Sequence, residues 1–285
     1  MTPSLFDQKA VAQNRNRART AQKQALFLHD LVAQQVSERL NEVNKRFTDQ
    51  AVVTAFPSVW QAVLPKATYV SEADTLDLTP AAQDLIVHAL SMHWSNDPVG
   101  QMIQCRRALR ADGLFLAVMF GGRSLQELRA CLAEAESRLK GGLSPRIAPM
   151  AELRDLGGLL SRAGLALPVA DSDLLSVTYP DMAALMHDLR AMGESNALTA
   201  RPKGMTGRAL FDLAAEIYQE NYCNADNRLN ATVEMIFLTG WAPSDTQQKP
   251  LRPGSAQTRL AAALGVEEQS ANVSKVNNPQ GKAEP

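Results

Sequence analysis

The chain has 285 residues, of which 45% are hydrophobic and 21% charged, and its formal net charge is -1. A chain of that length can bury a core that needs no staples, and so nearly neutral a balance supplies no basic field to attract nucleic acid. The three cysteines, Cys105, Cys131 and Cys223, lie far apart with no CxxC or Cys/His spacing. That indicates neither a disulfide framework nor a zinc site, and it points to a reducing, cytoplasmic setting.

The amino terminus carries Lys9, Arg15, Arg17, Arg19 and Lys23 with few acids, a superficial likeness to an organelle transit peptide. It runs without a break into an apolar-periodic stretch, so residues 20–45 read as one long amphipathic structural helix. Gln50–Phe56 follows as a strand stopped by Pro57, then a short helix over Ser58–Leu64 and a second strand over Ala67–Val70. In Ala82–Trp94, a short apolar run bounded by turn residues and followed by helical periodicity predicts a buried parallel strand. A helix over 98–109 and the apolar strand Leu114–Phe120 complete a right-handed crossover unit with it, and a helix over Ser124–Lys140 follows. Leu114–Phe120 is also the longest apolar run, well short of the ~20 residues of a membrane-spanning helix. Beyond it, helices are expected over Ala151–Ala163, Met182–Met192 and Thr206–Tyr222, with strands within Leu165–Tyr179 and over Ala231–Trp241. From Ser244 the composition shifts to Gln, Pro, Ser, Asn and Lys. The expectation is one domain over 1–243 and a largely disordered tail over 244–285.

Several blocks along this path resemble one family. They are SLFDQ near the start, DLIVHALSMHWSND, LRADGLFLAVMFGG, ELR at Glu127–Arg129, SPRIAP at Ser144–Pro149, DLGGLLSRAG at Asp155–Gly164, YPDM, MGESN at Met192–Asn196 and TGW at Thr239–Trp241. Together they resemble the class I methyltransferase-like proteins that include the mitochondrial complex I assembly factor of arginine hydroxylase type and its alphaproteobacterial relatives. The resemblance implies an α/β fold with a seven-stranded, mainly parallel Rossmann-like sheet, helices on both faces and an antiparallel last hairpin. It also implies S-adenosylmethionine as cofactor and a respiratory complex I subunit as protein partner or substrate.

The sequence departs from that family where the cofactor is held. Class I methyltransferases cradle it in a D-x-G-x-G-x-G loop after the first strand, where a ligand approaches backbone too closely for a Cβ. Here the loop reads Ala55-Phe56-Pro57-Ser58-Val59-Trp60, and the first glycine of the chain is Gly100. Only Ala67–Val70 separates this loop from the strand in Ala82–Trp94, so one strand–helix unit, with its ribose-binding acid, is expected to be missing. Glu72 is then the carboxylate left near an adenine.

The carboxyl end of a buried parallel strand is where α/β sheets place ligands. Glu72, His93 and Trp94 are therefore the candidate cofactor-binding residues, although His93-Trp94 also suits a wedge between strand and helix. Gly121-Gly122 allow close approach of a substrate or simply turn the chain. Gly193, Glu194, Ser195 and Asn196 suit recognition of a substrate or partner, although Gly193 also suits a helix cap. His88 and His187 read as solvated or locally bonded, and Glu127/Arg129 as a solvated helix face. The function expected is that of a methyltransferase-superfamily protein working on or beside a protein substrate in complex I assembly, with the loss of the Gly-rich loop arguing against cofactor binding and activity. The alternatives are an active S-adenosylmethionine-dependent methyltransferase or arginine hydroxylase with an altered cofactor mode, and a carboxyl methyltransferase acting on an acyl-carrier substrate.

Overall fold

The computed structural model describes residues 4–20, 26–248 and 265. The chain divides into a unit over Met1–Asp245 and a second over Thr246–Pro285. The expected tail lies, from residue 249 on and Gly265 apart, outside the described residues. Among the described residues no helix is long and apolar enough to cross a membrane.

The first unit is built on a six-stranded sheet in the order β2-β1-β3-β4-β6-β5, from β1 (Gln50–Val53), β2 (Thr68–Val70), β3 (Gln83–Ala89), β4 (Leu109–Phe120), β5 (Ala166–Tyr179) and β6 (Leu229–Trp241). The first four strands pair in parallel; β6 runs antiparallel between β4 and β5. This is the mainly parallel, Rossmann-like sheet of the methyltransferase type. It has six strands instead of seven, and the shortfall lies in the first crossovers. The link from β1 to β2 holds only the five-residue α3 (Pro57–Gln61), and the link from β2 to β3 holds no helix at all. The antiparallel pair at the far edge is not a hairpin either, because α7 (Met182–Ala191) and α8 (Arg208–Tyr222) lie between its strands.

Period-two alternation in the strands sorts the apolar residues into two layers. Leu85, Val87, Leu116, Val118, Val233 and Phe237 meet α2 (Phe27–Glu42) and α3 on one face. Ile86, Phe115, Ala117, Ile236 and Leu238 meet α4 (Pro98–Ala108) and α6 (Leu153–Arg162) on the other. A third cluster joins α5 (Gln126–Lys140) and α8 beneath Tyr179 and Leu229.

Of the helix expected over 20–45, α2 forms the described part and is preceded by α1 (Gln8–Thr20), while residues 21–25 lie outside the described residues. One local expectation is corrected. Glu127 is not solvated. Its carboxylate is buried and accepts bonds from the backbone N–H of Thr232 (3.1 Å) and from the Thr232 hydroxyl, tying α5 to β6.

Candidate functional site

β3 ends at Ala89, and the next residue is strained. Leu90 is fully buried with φ +48°, a left-handed conformation that a branched side chain rarely adopts. Its N–H bonds to the Val118 carbonyl at 2.8 Å, which leaves its own carbonyl aimed out of the strand end. A single 3₁₀ turn over Met92–Trp94 then carries His93 and Trp94 toward the loop after α7. That loop opens on Gly193 at φ +78°, where α7 is capped by the bonds from Gly193 N–H to Arg190 and from Glu194 N–H to Leu189. The next residue, Glu194, points inward.

Four of the residues read from the sequence converge here, and a fifth that was not anticipated joins them. One oxygen of the Glu194 carboxylate accepts from Trp94 Nε1 at 2.8 Å and His93 Nε2 at 3.1 Å; the other accepts from Arg15 Nη1 at 2.7 Å. Arg15 comes from α1 and is almost wholly buried. Its Nη1 also donates to the Met192 carbonyl at 2.9 Å, its Nη2 to the Leu90 carbonyl at 2.8 Å, and its Nε lies 3.4 Å from the Glu72 carboxylate. Burial alone would push the Glu194 carboxyl up, but the charges of Arg15 and His93 and the bonds from His93 and Trp94 outweigh it and hold it well below the usual carboxylate range. Glu72 goes the other way: burial raises it more than Arg15 lowers it.

The space where a cofactor loop would lie is occupied by the chain itself. Phe56 is 2% exposed and stacks edge-on against His29 at 4.7 Å between ring centroids, while the Arg15 guanidinium lies 5.7 Å from the Phe56 ring. The Phe56 N–H, one of the backbone donors a cofactor would need, is already bonded to the Thr54 hydroxyl at 3.0 Å. What remains between the ends of β1, β2 and β3 and helix α1 is a cavity of 160 Å³, bounded by Arg15, Thr54, Glu72, Ser91 and Trp94. Ligand sites generally need ~300 Å³ or more. This cavity is smaller than that, and Phe56 stands where the glycine loop would lie.

A second cavity, of 330 Å³, opens beyond the end of β4. Leu28, Phe120, Leu128, Met186 and Leu189 make its walls apolar, and Arg146, Glu194, Ser195 and Asn196 also line it. Trp94 borders both cavities and separates them. Gly121 and Gly122 line neither. A Cβ on Gly121 would sit 2.5 Å from a Glu234 carboxylate oxygen, and one on Gly122 2.6 Å from Glu152, so both glycines let acidic side chains close over the turn after β4.

His88 is buried on the α4 side. Its Nε2 donates to Gln101 at 2.8 Å, its Nδ1 lies 3.2 Å from the Ser91 hydroxyl, and burial pulls it down to about 4. His29 has both ring nitrogens buried without a hydrogen-bond partner, and burial pulls it down to about 3. Arg15 escaped the sequence reading because a basic residue near an amino terminus reads as solvated. The available signal was the spacing of Val11, Asn14, Arg15 and Ala18, the buried face of α1.

Sheet order and the position of the cleft at the strand ends mark a class I methyltransferase-like α/β protein. No protein-family model matches the chain. Over 251 residues it is 34% identical to arginine-hydroxylase NDUFAF5, mitochondrial, of Homo sapiens, covering 87% of this chain and 70% of that one. It is 38% identical over 180 residues to a malonyl-[acyl-carrier protein] O-methyltransferase of Xylella fastidiosa, covering 63% of this chain and 59% of that one. Among solved structures, phosphoethanolamine N-methyltransferase 2 of Haemonchus contortus aligns with a TM-score of 0.38 and 14% identity, covering 72% of this chain and 52% of that one. The chain belongs to the arginine-hydroxylase NDUFAF5 family. It spans 61%, 65% and 42% of the length of three further relatives of that name.

Proposed function

We propose that this chain acts on or beside a protein substrate during respiratory complex I assembly, with a complex I subunit as partner, and that it does so without S-adenosylmethionine. The observation that carries this reading is the division of the cleft. The side that should hold a cofactor is packed with Phe56 and the Arg15–Glu194 cluster, while the target side keeps a 330 Å³ apolar cavity. In this reading the cavity and the loop through Glu194, Ser195 and Asn196 receive the partner, and the working domain is 1–243 with 244–285 as a tail. Complex I assembly comes from the family; a cytoplasmic or other reducing setting is supported by the three unpaired cysteines, although the NDUFAF5 relatives are named mitochondrial.

Calorimetric titration with S-adenosylmethionine tests it. No heat at millimolar cofactor is expected; micromolar binding abolished by Glu72→Ala would overturn the cofactor-free reading. Capture of respiratory-complex subunits on the immobilised chain, weakened by changes in Met192–Asn196, is the second expected outcome. The competing reading, an active S-adenosylmethionine-dependent methyltransferase or arginine hydroxylase with an altered binding mode, draws on the 160 Å³ cavity that still touches Glu72 and Trp94 at the strand ends.

A further inference from the structure

Two loops flank the mouth of the 330 Å³ cavity, and their composition departs from that of the chain. Residues 137–150 and 196–211 hold six basic side chains, Arg138, Lys140, Arg146, Arg201, Lys203 and Arg208, and no acidic one, in a chain whose net charge is -1. Both line the cavity, the first through Arg146, Ile147 and Ala148 and the second through Asn196 and Phe211. They are also fastened to each other. Arg146 Nη1 donates to the Thr206 hydroxyl at 3.1 Å, and Asn196 Nδ2 donates to the Pro145 carbonyl at 2.9 Å. The first loop is pinned to α5 as well, because the buried Glu136 carboxylate accepts from the Ser144 N–H at 2.8 Å and from Arg146 Nη2 at 2.7 Å. Beyond these bonds the tips project: a Cβ added at Gly141, Gly142, Gly204 or Gly207 would meet nothing within 4 Å.

Each tip carries an aliphatic side chain into solvent. Met205 is fully exposed and Leu143 is 71% exposed, with Leu139, itself 49% exposed, in the last turn of α5 just before the first tip. Single exposed aliphatics need no account, but aliphatics on projecting tips rimmed by cations suit a lipid surface. The tips enter the acyl boundary, while Lys and Arg stems lie along it with their heads among lipid phosphates. Four acids answer the six cations. Glu134 pairs with Arg138, Glu136 with Lys140 and Arg146, Asp7 with Arg201 and Lys203, and Asp212 with Arg208. The patch keeps an excess of positive charge, and its outer pairs are exposed, where an ion pair contributes little. The aliphatics Leu167, Val169 and Leu174 lack this setting: they lie on β5, whose charged residues are Asp171 and Asp173. A soluble polyanion would use the cations and leave Leu143 and Met205 in water.

We propose that the tips at Leu143 and Met205, with Lys140, Lys203 and Arg208 around them, form a peripheral docking surface for an anionic lipid bilayer. Docking there places the open cavity beside the membrane. It needs no spanning helix, and among the described residues none is long and apolar enough to be one. The surface goes beyond the function proposed above and does not rest on it, since it concerns where the chain sits and not what the cleft holds.

Co-sedimentation of the full-length chain with vesicles tests this. Vesicles of phosphatidylcholine mixed with phosphatidylglycerol should retain the chain, and phosphatidylcholine alone should bind it at least about tenfold more weakly. Leu143→Asp together with Met205→Asp should weaken binding to the mixed vesicles about tenfold, and Lys140→Glu with Lys203→Glu by a similar factor. Leu174→Asp on β5 should leave it unchanged. Equal binding to both vesicle types, or a loss in Leu174→Asp as large as that of the tip pair, would overturn the surface. So would a loss confined to the charge pair together with equal affinity for heparin, which identifies a soluble polyanion as the ligand. Should a tip variant fail to fold, hydrogen exchange on the unmodified chain decides. Mixed vesicles should slow exchange over residues 137–150 and 196–211 about tenfold; protection that is absent there, or spread evenly over the chain, would refute the assignment. No cofactor or respiratory subunit enters these measurements, so their failure leaves the proposed function untouched.

Discussion

The two sides of the cleft share one wall, Trp94, and differ in what lies against it. On the side of β1 to β3 the chain's own side chains, among them Phe56, Trp60 and Arg15, close the space down to 160 Å³, and Arg15 and Trp94 both bond to Glu194. On the side of β4, α5 and α7 the walls are apolar, and 330 Å³ stays open. A filled half resists change because any deletion leaves a hole or an orphaned charge, whereas an open half can lose or gain a methylene with little consequence. The difference sets a half whose stability depends on close packing against a half that keeps a cavity.

The sharpest way to break this contrast is Glu194→Ala. It strips one buried carboxylate from Arg15, His93 and Trp94 together, and should destabilise by about 5 kcal/mol, the upper end for breaking a buried pair, read from chemical denaturation midpoints. Next comes a matched pair. Phe56→Ala in the filled half should cost about 4 kcal/mol, while Leu189→Ala, on the wall of the open cavity, should cost about 2 kcal/mol or less. Equal losses would show that the open cavity collapses in solution.

Acid titration probes the filled half from another side. Burial holds His29 down to about 3 and His88 down to about 4, so both rings stay neutral in the folded chain where the unfolded chain already protonates them. The unfolded state binds more protons below its ordinary histidine pKa of about 6.5, so stability should be flat above that pH and fall as pH drops from there toward 3–4. His29→Leu removes two unpartnered nitrogens and should flatten part of that slope at neutral cost. A steeper slope in the variant would contradict this account. The smallest expected effect lies outside the cleft: Asp97 accepts from Gly100 N–H at 2.8 Å at the start of α4, and Asp97→Ala should cost about 1 kcal/mol with no change in either cavity.

Much of the sheet was legible in the chain because its signal is local. Leu114–Phe120 and Leu85–Val87 are continuous apolar runs, and a strand buried on both faces writes itself that way. The absence of glycine before Gly100 announced the altered first loop, and the missing unit appears as a helix-free link from β2 to β3. Within the site, Glu72, His93, Trp94 and Glu194 were picked out singly, each from its place at a strand end or loop. Their convergence on Arg15 was not legible, because the contacts span up to 179 residues of sequence separation. Long-range pairing between polar side chains leaves no periodicity behind. Glu127 misled for a related reason: a carboxylate in the first turn of a helix looks solvated until the strand that covers it is known.

β6, the last strand of the first unit in chain order, sits in the sheet between β4 and β5. The pairing partners of β5 lie 50 to 75 residues downstream, at Leu229 for Tyr179 and at Trp241 for Ala166. As the chain leaves the ribosome, β4 and β5 therefore each present a long unpaired edge until Trp241 has been made, and such edges recruit other chains. The parallel half and the Arg15 cluster, complete by Glu194, can assemble well before that. In chain order the residues of the cleft's filled half are complete before those of the sheet, so any hazard of misassembly during synthesis concentrates on the interval between Glu194 and Trp241.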